Sequence, residues 1–187
     1  MLISITAENN EKQNTLLEHY IARAAEKDSA AIAELYRRTS ASVYGFALSI
    51  LKNAQDAQDI LHDCYIQLYG AAAQYRPMGK PLAWMLTITR NLCLMKLRER
   101  QKSADSTPEE WERYASGQNG LSTEDRQIVR QCMELLSDTE RQIVILHAVA
   151  GFRHREIAAL LDMPLPTVLS KYSRSIKKLK SILVKGE

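Results

Sequence analysis

The sequence predicts an all-α protein: two small helical domains joined by a flexible linker, the C-terminal one containing a helix-turn-helix. Three observations carry that expectation. Apolar residues recur at helical spacing from Thr15 onward and nowhere alternate as they would in a half-buried strand. Between Lys102 and Gly120 the period fades and Ser, Glu and Gly take over, as in a linker. From Arg153 to Lys180, two helical patterns flank Asp162-Met163-Pro164-Leu165-Pro166, whose prolines forbid one continuous helix.

The first helix is expected near Thr15 to Lys27, with Leu16, Leu17, Tyr20, Ile21 and Ala24 inward. A second starts at an Asp28/Ser29 cap and runs to about Leu51, with Ile32, Leu35, Tyr36, Val43, Phe46, Ala47 and Ile50 on its apolar side. Asn53 to Asp56 breaks and recaps the chain. The third helix, about Ala57 to Gly70, has one core face too many: Ile60, Leu61, Cys64 and Leu68 form one, and His62, Tyr65, Ile66 and Tyr69 another. After the loop Tyr75 to Lys80, Pro81 opens a fourth helix that reaches about Gln101. Residues 12–101 are read as the first domain, 102–122 as the linker and 123–187 as the second domain. In the linker, Trp111 and Tyr114 have the bulk to dock elsewhere. Helices resume over Thr123 to Leu136, and Ser137-Asp138-Thr139-Glu140 is a capping box ahead of Ile143, Val144, Leu146 and His147. A linker of this length permits both a compact and an extended chain.

The 187 residues, 45% of them apolar, suffice for real cores. No run approaches the roughly 18 apolar residues of a spanning helix. Met1 to Asn10 lacks a basic flank and cleavage signal, so a cytoplasmic protein without its own membrane insertion is expected. Cys64, Cys93 and Cys132 lie far apart with no Cys-x-x-Cys, which fits core filling better than a disulfide framework or a zinc site. Gly is scarce and no nucleophile, base and acid stand in a catalytic arrangement. Hence no catalytic residue, metal or cofactor is expected.

The net charge of +3 conceals a pattern. Arg90, Lys96, Arg98, Arg100 and Lys102 face only Glu99, and beyond Pro166 six lysines and arginines face only Glu187. Between these blocks lies an acidic connector with Asp105, Glu109, Glu110, Glu112, Glu124 and Asp125. Two basic modules suit a polyanion. On the last helix Val168, Tyr172, Ile176, Leu179 and Leu183 share one side. Thr167, Ser170, Lys171, Arg174 and Lys178 share the other, with Lys177 beside them, the layout of a helix that enters the major groove. On the fourth helix, Thr87, Asn91, Leu94 and Arg98 form a stripe with Arg90 at its edge. Met85, Leu86, Thr89, Leu92, Cys93 and Leu97 point the other way. Amide, hydroxyl and guanidinium groups suit base edges and phosphates, and Trp84 with Tyr75 suits stacking on unpaired bases, although geometry alone favours Trp84 as a core residue.

Three segments carry a family resemblance: Asp56-Ala57-Gln58-Asp59-Ile60-Leu61-His62-Asp63-Cys64-Tyr65, then Trp84-Met85-Leu86-Thr87-Ile88-Thr89-Arg90-Asn91, then Glu156-Ile157-Ala158 with Thr167-Val168-Leu169-Ser170-Lys171. In this order, over about Ile21 to Leu183, they resemble the extracytoplasmic-function sigma factors of bacterial transcription initiation. The resemblance implies that the third helix docks on the clamp helices of the largest subunit of core RNA polymerase, through Asp56, Asp59, His62, Asp63, Tyr65, Ile66 and Tyr69. It implies that Tyr75, Arg76, Trp84, Thr87, Arg90, Asn91 and Arg98 melt and read the minus-ten promoter element. Thr167, Ser170, Lys171, Arg174, Lys177 and Lys178 would read the minus-thirty-five element. It further implies a cognate anti-sigma factor, often membrane-anchored, with no homo-oligomer required. The family commonly has Gln at His62, Glu at Asp63, Trp at Tyr69, Asp at Met95, Gly at Pro166 and a basic residue at Leu169, so its usual promoter preferences do not transfer. A polymerase-independent helix-turn-helix regulator would leave the third helix without a role. A sigma-like decoy would leave the Thr87/Asn91/Arg98 stripe without one.

Overall fold

A computed structural model describes residues 2–102 and 134–183, and every regular element among them is helical. The expected linker, most of the helix expected over Thr123 to Leu136, and Trp111, Tyr114 and Cys132 lie outside the described residues. Helix α1 spans Leu2–Ala25, α2 Ser29–Leu51, α3 Ala54–Ala71 and α4 Pro81–Lys102, with a 3-10 turn at Ala72–Gln74 after α3. The C-terminal part holds α5 (Asp138–Ala148), α6 (His154–Leu161) and α7 (Leu165–Leu183).

Local chemistry sets the boundaries. The Asp28 carboxylate accepts the Ala30 N–H at 2.9 Å and also binds the Arg23 guanidinium, so one side chain ends α1 and begins α2. Lys52 closes α2 in the left-handed region at φ 56°, and Asn53 restarts the chain by accepting the Asp56 N–H at 2.9 Å. The capping box forms as expected: Glu140 Oε2 accepts from Ser137 N at 2.9 Å, and Ser137 Oγ from Glu140 N at 3.4 Å. At α6, Glu156 Oε2 accepts the Arg153 N–H at 2.9 Å.

Three boundaries differ from expectation, one of them the start of α3, which lies at Ala54 and not near Ala57. Helix α1 begins well before Thr15. Helix α7 begins at Leu165, two residues before Thr167, because Pro166 lies in the first turn, where its missing N–H costs nothing. Only Asp162 to Pro164 then separate the helices of the helix-turn-helix, and Asp162 takes φ 54° to make the bend.

Helix α2 is the hub, packed against α1, α3, α4 and α5. Leu35, Val43, Phe46 and Ala47 are fully buried on it, while Tyr36, expected inside, is 38% exposed and leans over the Tyr65 ring with centroids 5.0 Å apart. One apolar core runs from Leu17, Ile21, Phe46, Leu68 and Met85 into Ile143, Leu146, Ile157 and Val168. The two helical units are therefore fused in this structure. Gly45 is buried where α2 meets α5, and a Cβ on it would stand 3.8 Å from Ile145 Cγ2. Lys52 reaches Asp138 at 2.6 Å and Lys80 reaches Glu156 at 3.4 Å across the same seam. Cys64 and Cys93 are buried and free, and burial pushes both thiols above their usual range, as core residues behave.

Candidate polymerase and nucleic-acid interfaces

Helix α3 is packed on two sides, by α2 and by α4, and this sorts its seven candidate residues. His62, Asp63 and Ile66 are exposed, Ile66 at 72%, while Asp59 and Tyr69 are half-exposed. Tyr69 is held by Lys27, whose ammonium lies 4.6 Å from the ring centroid and whose carbonyl accepts the phenol at 3.4 Å.

Tyr65 and Asp56 are not on that surface. Tyr65 is 6% exposed and its hydroxyl pairs with Thr39 Oγ1 at 2.7 Å, because its position on the helix turns it toward α2. Asp56, which the sequence places on an acidic stripe, is 9% exposed and lies between Lys96 at 3.4 Å and the Arg100 guanidinium, both from α4. Lys96 also lies 3.8 Å from Asp59. Two members of the first basic block are thus spent inside the domain, tying α3 to the far end of α4.

Along α4 the expected division holds. Met85, Leu86, Thr89 and Cys93 are fully buried, whereas Thr87, Asn91 and Arg98 are exposed and Arg90 is half-buried. The loop before α4 is clamped by α1. Glu18 Oε1 accepts both the Tyr75 hydroxyl at 2.9 Å and the Gly79 N–H at 2.8 Å, and Asn14 Nδ2 donates to Gly79 O at 3.0 Å. Gly79 needs its φ of 70° to make this turn. Tyr75 and Trp84 lie against each other, centroids 4.9 Å apart and planes tilted 49°, both half-buried. Arg76 is exposed, and so is Met78, at 76%.

In the helix-turn-helix, the orientation of α7 is fixed by an aromatic cluster. His147 and His154 stack at 4.4 Å, and each meets the Tyr172 ring edge-on at 4.7 Å. His147 Nδ1 is 2.8 Å from Phe152 O, and burial followed by the neighbouring His147 lowers the His154 pKa. Val168 and Ser175 are fully buried, so the opposite arc of α7 faces water with Ser170, Ser173, Arg174 and Lys177 exposed. Thr167 and Lys171 sit half-buried at its edge. Arg174 Nε donates to Ser170 O at 3.3 Å, which lays its guanidinium along the helix surface.

Lys178 departs from the expected stripe. Its Nζ donates to Glu140 Oε2 at 2.7 Å, so it braces α7 against α5. Burial alone would raise the Glu140 carboxyl; Lys178 and the Ser137 cap overcome it and hold the pKa at about 2.

This geometry has counterparts among known proteins. The Sigma-70 region 2 model matches residues 35–103 and the Sigma-70, region 4 model residues 126–179. The chain therefore belongs to the sigma-70 family of transcription-initiation factors. The extracytoplasmic-function sigma factor SigK of Mycobacterium sp. (strain KMS) is 27% identical over 180 residues, covering 90% of this chain and 91% of that protein. SigK of Mycolicibacterium vanbaalenii is 28% identical over 178 residues, 89% of each chain. The branch these relatives define is the extracytoplasmic-function one, and this chain is a member of it. Two solved structures share the fold. CnrH, in complex with the cytosolic domain of CnrY, matches with TM-score 0.64 and 20% identity over 92% of this chain and 99% of that one. The sigma factor RpoE of Bartonella quintana, in complex with the anti-sigma factor NepR, matches with TM-score 0.66 and 22% identity over 81% and 95%. No helix among the described residues is long and apolar enough to cross a membrane.

Proposed function

We propose that this extracytoplasmic-function sigma factor grips core RNA polymerase with the outer arc of α3 and then uses α4 and α7 on promoter DNA. The observation that carries the docking assignment is Ile66, 72% exposed on a helix whose other long aliphatic side chains are buried. Beside it stand Asp63 and His62, also exposed, with Asp59 a turn away. An apolar centre with an acidic rim fits a basic, partly apolar protein surface and repels phosphate. Asp56 and Tyr65 support this arc from beneath.

The exposed Thr87, Asn91 and Arg98 on α4 are the groups assigned to the minus-ten element. Trp84 contributes to stacking only after its contact with Tyr75 is rearranged. The exposed arc of α7 is assigned to the minus-thirty-five element, with Lys178 withdrawn from it. An anti-sigma partner is proposed on the strength of the structural relative RpoE, solved with the anti-sigma factor NepR, and of CnrH, solved with the cytosolic domain of CnrY. Cytoplasmic residence follows from this partnership with polymerase.

The charge-reversing pair Asp59→Lys and Asp63→Lys should abolish co-purification with core polymerase and promoter-dependent run-off transcription, while circular dichroism stays unchanged. Wild-type yield of holoenzyme from the folded double variant would remove α3 from the docking role. Retained promoter binding without polymerase would instead favour an independent regulator.

A further inference from the structure

Leu169 follows the buried Val168 on α7, yet 46% of its surface stays in water. One turn back lie half-buried Leu165 and exposed Pro166; one turn on lies exposed Ser173, with exposed Ser170 alongside. These neighbours are short or turned inward, so the leucine projects beyond them. A single exposed leucine ordinarily carries no message. Its place gives this one meaning.

The first turns of a recognition helix are where helix-turn-helix proteins bring side chains to base edges. Of the groups that base pairs present in the major groove, one is apolar, the C5-methyl of thymine. A leucine offers no hydrogen bond, so opposite guanine or cytosine it would strand polar groups that water had satisfied. Lys177, exposed two turns on and toward the water-facing arc, and Arg174, exposed on the far side of that arc, supply the attraction to phosphate that holds the helix there.

We infer that Leu169 is a specificity-determining residue that selects a thymine in the upstream promoter element by contact with its C5-methyl group. This rests on the assignment of α7 to that element. The test uses holoenzyme reconstituted from core polymerase and the full chain, with an upstream element recovered by selection from random sequence. Each thymine of the element, on both strands, is replaced singly by deoxyuridine, which removes the methyl and nothing else.

Wild-type holoenzyme should lose roughly threefold to fivefold in affinity at one thymine, what one buried methyl group is worth. Leu169→Ala should bind more weakly yet be indifferent to that same replacement, and Leu169→Met should remain sensitive. Wild-type holoenzyme that ignores every replacement, while still preferring the selected element to a scrambled one, would overturn the role of Leu169 and leave α7 as the reader. Equal losses in wild type and Leu169→Ala would assign the methyl contact to another residue. Indifference to scrambling the whole element would overturn the assignment of α7 itself.

Discussion

Helices α3 and α7 carry the same kind of sequence signal, an apolar face beside a charged stripe, and the fold treats them differently. Helix α3 is packed by α2 on one side and α4 on the other, so of its seven candidate residues Asp56 and Tyr65 sink into the domain. Helix α7 packs on α5 and α6 from one side, and of its six only Lys178, itself exposed, is tied across to a neighbouring helix, through Glu140. A stripe read from periodicity is reliable on a helix at the edge of a bundle. On a helix inside one, a second packing surface claims part of it.

The sharpest way to break this comparison is to truncate adjacent residues on α3. Tyr65→Ala should cost about 3 to 5 kcal/mol in denaturant unfolding, since it removes a buried aromatic ring and one of the two hydrogen bonds of the Thr39 hydroxyl, the other being to Leu35 O. Ile66→Ala should stay within about 0.5 kcal/mol of wild type and lower holoenzyme yield instead. Equal destabilisation by both would mean that α3 has no outer arc.

Next in size is the Glu140 brace on α7. A carboxyl held at about 2 when folded and near 4.5 when unfolded stabilises the protein fully above pH 4.5, and the contribution is lost as pH falls toward 2. At about 1.4 kcal/mol per pKa unit it amounts to roughly 3 kcal/mol at most, reduced by solvent screening at the exposed Lys178. Unfolding followed from pH 5 downward should therefore show a stability slope that is shallower in Glu140→Gln and in Lys178→Ala. An unchanged slope in Lys178→Ala would place that lysine back among the groups free to meet DNA.

The smallest effect concerns Asp56 and Asp63, two of the three aspartates of α3. Asp56→Asn should cost about 1 to 2 kcal/mol, because its carboxylate is buried while Lys96 and Arg100 remain partly solvated. Asp63→Asn should leave stability unchanged and weaken polymerase binding. Titration of both variants with core polymerase, beside their unfolding curves, separates support from contact.

What was legible in the sequence was local. The Asp28 cap and the Ser137/Glu140 box were readable because a capping side chain and the N–H it serves lie within three residues of each other, whereas Asn53 to Asp56 read only as a break and recap with no capping residue singled out. The inward face of α4 was readable from period alone. The start of α7 was not, since Pro166 resembles a breaker until its place in a first turn is known. The fate of Asp56 was not readable either: Lys96 and Arg100 lie forty residues and more along the chain, and only the packing of α3 on α4 brings them near. Nor does any periodicity state that Ile143 and Leu146 share a core with Phe46.

That shared core has a consequence best measured with a ruler. The two promoter elements are separated by roughly 25 base pairs, on the order of 85 Å of duplex. A closed chain of this size has a radius of gyration of about 16 Å, hence a span of some 40 Å. Closed by Gly45 against Ile145 and Lys80 on Glu156, a chain of that span would reach about half of the interval between the two elements proposed for it. For one chain to hold both elements in the way proposed, the seam between α2 and α5 would have to part and expose the apolar surface sealed within it.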